Sequence, residues 1–227
     1  MLKAPKFWYQ NKISILAILL LPFSLLWIIG TFFIKKFAKP IRSKIPVIAV
    51  GSAIIGGSGK TPSVIYVCEI LEKIGYKPHI ISRGYGGSAN EVIKVSPEMN
   101  YSLVGDEAIM MSKYYPTWVS KNKYSAFSMA EKDGANIIVL DDALQSYNVF
   151  KNLNIYVYDS IQSFGNKLIV PSGPLRESIN SVLNRSQIVF LVNTDNCLEI
   201  SQDQFQQSIN YEISIKPEIS DKKLMPF

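Results

Sequence analysis

Histidine and cysteine are scarce in this sequence. The chain of 227 residues contains one histidine, His79, and two cysteines, Cys68 and Cys197. A single histidine excludes metal sites built from several imidazoles. Two distant cysteines form neither a zinc motif nor a disulfide framework, so we expect free thiols in a reducing compartment. His79 lies in an apolar stretch, where we expect it near the end of a strand.

Acidic residues are absent from the first 44 positions. This segment contains eight Lys or Arg residues, whereas the rest of the chain has 16 basic and 18 acidic residues. The net charge of +6 therefore comes from the N-terminus. Because nucleic-acid-binding proteins are typically basic over a whole binding surface, we predict that nucleic acid is not a partner. The basic segment is instead expected to contact a membrane surface.

Residues 13–33 form an uncharged run of 21 residues, long enough for a helix that crosses a bilayer. Trp8, Tyr9 and Trp27 are suited to the membrane interface, and Pro22 predicts a kink. Three basic residues precede the run and five follow it, which favours a cytoplasmic location for the globular part. Basic residues on both sides also fit a helix that dips into one leaflet, so both arrangements remain open. A buried core helix is disfavoured because the run has no polar face.

The sequence VIAVGSAIIGGSGKT at residues 47–61 has the order of parts of a phosphate-binding loop. An apolar strand precedes its glycines, and helical spacing of apolar residues follows it. Lys60 supplies a cation for phosphates, and Thr61 supplies a hydroxyl for Mg²⁺. A chance glycine-serine turn is the alternative, since Ile54 stands where the common pattern has its first glycine. The residues expected to bind nucleotide are Ile54, Ile55, Gly56, Gly57, Ser58, Gly59, Lys60 and Thr61.

Apolar segments alternate with helical patterns after this loop. The predicted helices cover residues 62–74, 106–114 and 125–132. The predicted strands cover residues 47–50, 79–82, 92–95, 118–119, 137–140, 155–158 and 188–192. This alternation predicts an α/β fold of the P-loop NTPase type, with a doubly wound, mostly parallel sheet and helices on both faces. Ligands of such sheets bind beyond the carboxyl ends of the strands.

Three further polar motifs stand out. Asp141 and Asp142 end a predicted strand, where carboxylates can bind Mg²⁺ opposite the loop threonine, although they can also cap the next turn. Arg83 lies in the glycine-rich SRGYGG, which fits a phosphate- or sugar-binding loop as well as a solvated turn. Asp106 opens a helix, where an acid stabilises the helix dipole.

In chain order, the motifs KAPKFWY, GGSGKTP, SRGYGG, GDE, DDALQ and GNKLIVPSGPLRE resemble those of the tetraacyldisaccharide 4′-kinases, over nearly the whole chain. The resemblance implies ATP and Mg²⁺ as cofactors. It implies phosphorylation of the 4′-hydroxyl of an acylated glucosamine disaccharide 1-phosphate, the lipid A precursor, on the cytoplasmic face of the bacterial inner membrane. It implies that Lys60 and Asp106 are catalytic, with Asp106 as the base, and that Thr61, Asp141 and Asp142 bind the metal. The residues implied to bind the substrate are Arg83, Asn166 and Arg176.

Two differences from the family pattern motivate a second hypothesis. Ala143, Leu144 and Ser146 replace the glycine, phenylalanine and histidine of DDGFQH. Family members also continue to a later histidine that partners the catalytic acid, so we expect a chain truncated at its C-terminus. The second hypothesis is a nucleotide-binding relative with little kinase activity, and the third is a membrane-attached GTPase or ATPase switch. We predict an anchoring helix at residues 1–44, a P-loop kinase domain at 45–195 and an incomplete second lobe at 196–227.

Overall fold

The computed structural model of the chain describes residues 4–10, 12–56 and 59–192, and the backbone of residues 212–215. A short 3-10 helix at Lys6–Tyr9 precedes the helices α1 (Ile15–Phe37), α2 (Lys60–Lys73), α3 (Tyr101–Val104), α4 (Asp106–Ser112), α5 (Lys123–Lys132) and α6 (Ile179–Leu183). The strands are β1 (Val47–Gly51), β2 (Pro78–Ser82), β3 (Ile93–Val95), β4 (Thr117–Val119), β5 (Ile137–Leu140), β6 (Leu153–Asp159), β7 (Ile188–Val192) and β8 (Glu212–Ile215).

Within the described residues, the strands form one sheet of eight in the order β3-β4-β2-β5-β1-β6-β7-β8. β3 pairs antiparallel with β4, and the other neighbouring pairs are parallel. The carboxyl ends of β2, β5 and β1 therefore meet at one edge of the sheet, which we call the carboxyl edge. This topology confirms the predicted doubly wound fold.

Helices cover both faces of the sheet, which explains why its central strands are apolar throughout. Alternate residues of β1 enter different cores: Val47 and Ala49 pack on one face, and Ile48 and Val50 on the other. α5 covers the first face with Ala126, Phe127 and Ala130. α2 covers the second face with Val64, Val67, Cys68 and Leu71. The helical spacing after the glycine loop thus corresponds to the buried side of α2.

The seven predicted strands and three predicted body helices are present, with ends that differ by at most two residues. α3 and α6 were not predicted, because they are too short to show helical periodicity in the sequence. β8 lies beyond residue 195 and pairs with β7, so the sheet extends past the predicted end of the kinase domain. The division into domains stays a prediction, and most of residues 196–227, including Cys197, lies outside the described residues.

The apolar run corresponds to α1, which continues through Pro22 to Phe37 as a single helix. By length and composition it could cross a membrane: an 18-residue stretch of it has a mean hydropathy of 2.4, and 11% of that stretch is buried in the protein. The low burial agrees with the expectation that α1 is not a core helix. Ala17 and Ser24 are its buried residues, and they mark the side that faces the body.

His79 lies in β2 and is 5% exposed. Its Nδ1 accepts a hydrogen bond from Trp118 Nε1 at 3.2 Å, and the two rings stack. Asp133 Oδ2 lies 3.9 Å from Nδ1 and forms an ion pair with Lys94 at 2.6 Å. Burial lowers the pKa of His79, Asp133 opposes this effect and Lys94 reinforces it. The folded protein therefore favours the neutral ring, which can accept the bond from Trp118.

We predict that acid destabilises the protein through His79. A lowered folded pKa means that the stabilisation is complete above the unfolded pKa of about 6.5 and is lost as the pH falls below it. Urea unfolding between pH 7.5 and 5 should show this loss in the wild type. His79→Asn, which keeps an acceptor without titrating, should lose the slope over this range. Equal pH dependence in both proteins would contradict the assignment, and Tyr76→Phe at an exposed tyrosine serves as the control.

Candidate active site

The glycine loop connects β1 to α2 at the carboxyl edge. Gly59 precedes α2 with φ +68°, a left-handed conformation that glycine adopts without strain. The Nζ of Lys60 donates a hydrogen bond to the carbonyl of Gly56 at 2.9 Å. The side chain of Lys60 therefore folds back over the loop, and Thr61, 8% exposed, follows it in the first turn of α2. Gly57 and Ser58 lie outside the described residues.

Ile54, which replaces the first glycine of the common loop pattern, is 3% exposed and belongs to the core. Its backbone forms an isolated bridge with Leu175, and the N–H of Ile55 donates to the carbonyl of Pro174 at 2.9 Å. This part of the loop thus packs against a neighbouring segment, and the binding of nucleotide by Ile54 and Ile55 stays a prediction. Isoleucine fits here because the position is an apolar contact.

The two acids after β5 occupy different environments. Asp141 is 4% exposed; its Oδ2 accepts a hydrogen bond from Ser82 Oγ at 2.9 Å, and its buried Oδ1 has no hydrogen-bond partner in the described part of the chain. Burial and the neighbouring Asp142 raise the pKa of Asp141. Ser82 ends β2 beside β5, so the parallel register brings this serine to the acid. An unsatisfied buried carboxylate oxygen is suited to a cation.

Asp142 has φ +46°, and its carboxylate lies near Lys60 of the glycine loop. Arg176 donates to both of its oxygens, at 3.0 Å and 2.8 Å, and Lys60 Nζ lies 4.0 Å from Oδ1. The structure thus brings together Lys60, Asp141, Asp142 and Arg176. Arg176, expected on the substrate side, lies directly against a predicted metal-binding acid.

Gln145 and Glu177, which were not among the predicted site residues, join this group. Gln145 Oε1 accepts from Arg176 at 3.2 Å, and its Nε2 donates to Glu177 Oε1 at 3.0 Å and to the carbonyl of Ser52 at 3.1 Å. Glu177 is buried and forms a two-pronged ion pair with Arg185. Gln145 ends the motif DDALQ, and Glu177 ends the motif PSGPLRE. Their places in these two motifs are the sequence feature that could have identified them as site residues.

Asp106 begins α4 at the rim of the site, and its exposed carboxylate accepts a hydrogen bond from the N–H of Glu107 at 3.0 Å. Glu107 is half-buried, and the charges of the two acids act on its carboxyl group. Burial raises its pKa, the nearby Asp141 raises it further, and Lys60 opposes the shift. Asp106 and Glu98 instead line a shallow cavity of about 590 Å³ that opens to solvent. The structure therefore adds Glu107 to the candidate residues and leaves Asp106 accessible to a large ligand.

Arg83 is exposed, and it follows β2 at the carboxyl edge. Its charge acts on Lys123, the first residue of α5. Burial lowers the pKa of Lys123 to about 8; the nearby Asp141 carboxylate opposes this shift, and Arg83 adds to it. Arg83 and Lys123 thus form a cationic group beside the acids. No motif surrounds Lys123 in the sequence, so its location beside the acids could not be predicted.

Asn166 lies apart from these residues. Its Nδ2 donates to the carbonyl of Ser172 at 2.9 Å, and its Oδ1 accepts from the N–H of Leu168 at 3.1 Å. The amide group therefore stabilises its own loop. Asn166 also lines an open cavity of about 650 Å³ near the start of α1, together with Tyr9 and Lys167. A contact between Asn166 and substrate stays a prediction.

The residues at the carboxyl edge fit a magnesium ion. Thr61, Asp141 and Asp142 supply oxygen atoms, and the unsatisfied Oδ1 of Asp141 provides an open ligand position. Across the described ranges, no group of three or more His, Cys, Asp or Glu side chains could hold a metal ion. Mg²⁺ characteristically binds one or two carboxylates together with substrate phosphates. The chemistry of these residues therefore suits a metal that arrives with a nucleotide.

Known proteins are similar to this chain in sequence and in fold. A tetraacyldisaccharide 4′-kinase of Parvibaculum lavamentivorans is 35% identical over 194 residues, covering 84% of this chain and 57% of that protein. A tetraacyldisaccharide 4′-kinase of Psychromonas ingrahamii is 36% identical over 228 residues, covering 92% of this chain and 71% of that protein. The chain thus spans about three fifths of the length of the first relative and rather more of the second.

The crystal structure of LpxK from Aquifex aeolicus in complex with ATP has the same fold. It superposes with a TM-score of 0.70 at 21% identity, covering 94% of this chain and 86% of that chain. The family model for LpxK, tetraacyldisaccharide-1-P 4′-kinase, matches residues 16–224. The chain therefore belongs to the tetraacyldisaccharide-1-P 4′-kinase family.

Proposed function

We propose that this chain transfers a phosphoryl group from ATP to the 4′-hydroxyl of a tetraacylated glucosamine disaccharide 1-phosphate, a step of lipid A biosynthesis. The observation that carries the proposal is the approach of Lys60 to Asp142 at 4.0 Å, beside the buried Asp141, where a glycine loop opens α2. A cation and two carboxylates at a loop of this kind suit a nucleoside triphosphate with its metal. The family name supplies the class of acceptor.

Each part of the site has a proposed task. The backbone of the glycine loop and Lys60 hold the phosphates of ATP, while Thr61, Asp141 and Asp142 hold Mg²⁺. A bound Mg²⁺ would neutralise charge that develops on the transferred group. Thr61 lies at the N-terminus of α2, where the helix dipole favours anions. Because phosphoryl transfer depends mainly on positioning and charge, this arrangement is sufficient to orient the donor.

Asp106 is the proposed acceptor of the proton from the 4′-hydroxyl. Its carboxylate is exposed, so a large substrate can approach it, and the neighbouring Glu107 interacts electrostatically with Asp141. Arg83 and Lys123 provide positive charge on the same side, suited to a sugar phosphate or to the transferred group. The bound disaccharide would therefore lie across this rim, with its reacting hydroxyl near Asp106.

The membrane is the proposed partner of α1. Its side chains are mostly exposed and apolar, and removal of one such side chain from water stabilises by about 1.5–3 kcal/mol. Basic residues flank both ends, including Lys12 and Lys39. These charges suit anionic lipid headgroups. We infer that the globular part lies on the cytoplasmic face of the bacterial inner membrane.

Contacts at both ends of α1 favour a helix that lies within one leaflet. Before α1, Trp8 Nε1 donates to the carbonyl of Pro171 at 3.0 Å. After α1, the N–H of Ile41 donates to Asn148 at 2.9 Å, and Arg42 lies 3.8 Å from the ring centre of Phe150. A helix of 23 residues is about 34 Å long, so crossing the bilayer would separate these ends.

We predict that Asp106→Asn lowers phosphate transfer by about 10²–10⁴-fold, because the amide cannot accept the proton. The amide oxygen can still accept the N–H of Glu107, so the melting temperature should not change. Radiolabelled transfer from ATP to the disaccharide measures the rate. Glu98→Gln, on the rim of the same cavity, is the matched control and should transfer at the wild-type rate. Equal transfer by Asp106→Asn would return Asp106 to a structural role.

Lys60→Ala tests the proposed binding of ATP, the phosphoryl donor. Loss of charged hydrogen bonds to phosphate should weaken ATP binding in calorimetry by about 10- to 100-fold. ATP binding by the wild type without transfer to the disaccharide would contradict the proposed function while supporting the nucleotide site.

We also predict that both ends of α1 lie on the same side of the bilayer. Lys12→Cys and Lys39→Cys, each combined with Cys197→Ser, should react with an impermeant maleimide from the same side of sealed proteoliposomes. Cys68 is buried, and burial raises the pKa of its thiol, so it should remain unlabelled. Detergent-treated vesicles give the total labelling. A helix that spans the bilayer would show one of the two sites only after detergent.

A further inference from the structure

The N-terminal segment is bonded to residues 165–177, which we call the bridging loop. Three side chains of the N-terminal segment donate hydrogen bonds to backbone carbonyls of the bridging loop. Trp8 Nε1 donates to Pro171 at 3.0 Å, Ser24 Oγ to Ile169 at 2.8 Å, and Trp27 Nε1 to Arg176 at 3.0 Å. The contacts of Trp8 and Ser24 are partly buried, where a backbone carbonyl without a partner is costly, whereas the contact of Trp27 is exposed to solvent. The shape of the bridging loop therefore depends on α1 and on the residues before it.

Ser24 makes the most buried of these contacts. It is 4% exposed on a helix whose other side chains are largely exposed, and its hydroxyl lies 2.8 Å from that of Ser172, which is fully buried. Ala17, also fully buried, lies on the same side two turns earlier. A buried hydroxyl is stabilised by specific partners and not by hydrophobicity. α1 thus docks at a defined position, which membrane insertion alone would not require.

The other side of the bridging loop contacts the candidate site. The N–H of Arg176 donates to the carbonyl of Ala53 at 2.8 Å, at the start of the glycine loop. The guanidinium of Arg176 bonds both oxygens of Asp142, and it bonds Gln145 at 3.2 Å. One residue therefore accepts a bond from α1 through its carbonyl and orients Asp142 through its side chain.

We propose that α1 is a positioning element of the site as well as a membrane contact. Ser24 and Trp27 are positioning residues that hold the bridging loop so that Arg176 keeps Asp142 in its orientation. The link to magnesium rests on the proposed function, in which Asp142 binds the metal. Partners that orient a metal-binding carboxylate characteristically change metal affinity by 10- to 100-fold when they are lost.

The test uses the full chain in lipid nanodiscs with the double variant Ser24→Ala, Trp27→Phe. Both changes remove a donor and preserve most of the side chain. Thr31→Val is the matched control, because this hydroxyl on the same helix bonds only to the helix carbonyls of Trp27 and Ile28 among the described residues. Hydrogen exchange reports on residues 166–177 and 141–146, and calorimetry reports the apparent affinity for Mg²⁺ in the presence of ATP.

We expect exchange in both segments to rise about fivefold for each lost bond in the double variant, and to stay at the wild-type level in Thr31→Val. Apparent Mg²⁺ affinity should fall about tenfold in the double variant only. Faster exchange in residues 166–177 without change in residues 141–146 would overturn the link to Asp142. Unchanged exchange in both segments would overturn the proposal altogether.

The two readouts separate this proposal from the proposed function. A wild-type protein that does not bind ATP with Mg²⁺ would contradict the nucleotide site. Hydrogen exchange would still decide whether α1 holds Asp142 in place, because it requires neither ligand nor turnover.

Discussion

The ion pair between Arg176 and Asp142 joins the three parts of the molecule. Asp142 follows a central strand of the sheet, Arg176 lies in the bridging loop, and the carbonyl of Arg176 accepts a hydrogen bond from α1. A two-pronged bond between a guanidinium and a carboxylate is directional and constrains both groups. The side chains of Arg176 and Asp142 are 21% and 32% exposed, so solvent weakens their attraction. The ion pair therefore contributes more to the orientation of Asp142 than to the free energy of unfolding. The glycine loop, the acids and α1 all meet at this contact.

Much of the fold could be predicted from local patterns. Apolar strands alternate with helical spacing because helices cover both faces of the sheet, and this rhythm indicates parallel strands. The rule that ligands bind at carboxyl strand ends then places Lys60, Asp141 and Arg83 at one edge. Strand order and register are set by contacts between distant segments. The bond between Ser82 and Asp141 therefore became visible only in the structure.

Several features of the site depend on tertiary contacts that no sequence pattern shows. Asp106 and Glu107 are adjacent on α4, and which of them faces the acids depends on how that helix packs. Asn166 is predicted to bind substrate, and only the structure shows that its amide also bonds its own loop. Ile54 departs from the glycine pattern because its backbone bridges Leu175 and its side chain enters the core. Hydropathy identifies α1 but cannot show that Ser24 and Trp27 dock it.

A helix attached to the body at both ends has a consequence for how the acceptor is found. In the proposed arrangement, the carboxyl edge of the sheet stays at a constant height above the bilayer. A lipid acceptor then keeps its acyl chains in the leaflet and reaches the edge by lateral diffusion. The search is two-dimensional, and the approach angle of the sugar is set before contact, which reduces the orientational entropy lost on binding. A water-soluble disaccharide without acyl chains would not be oriented in this way before it binds.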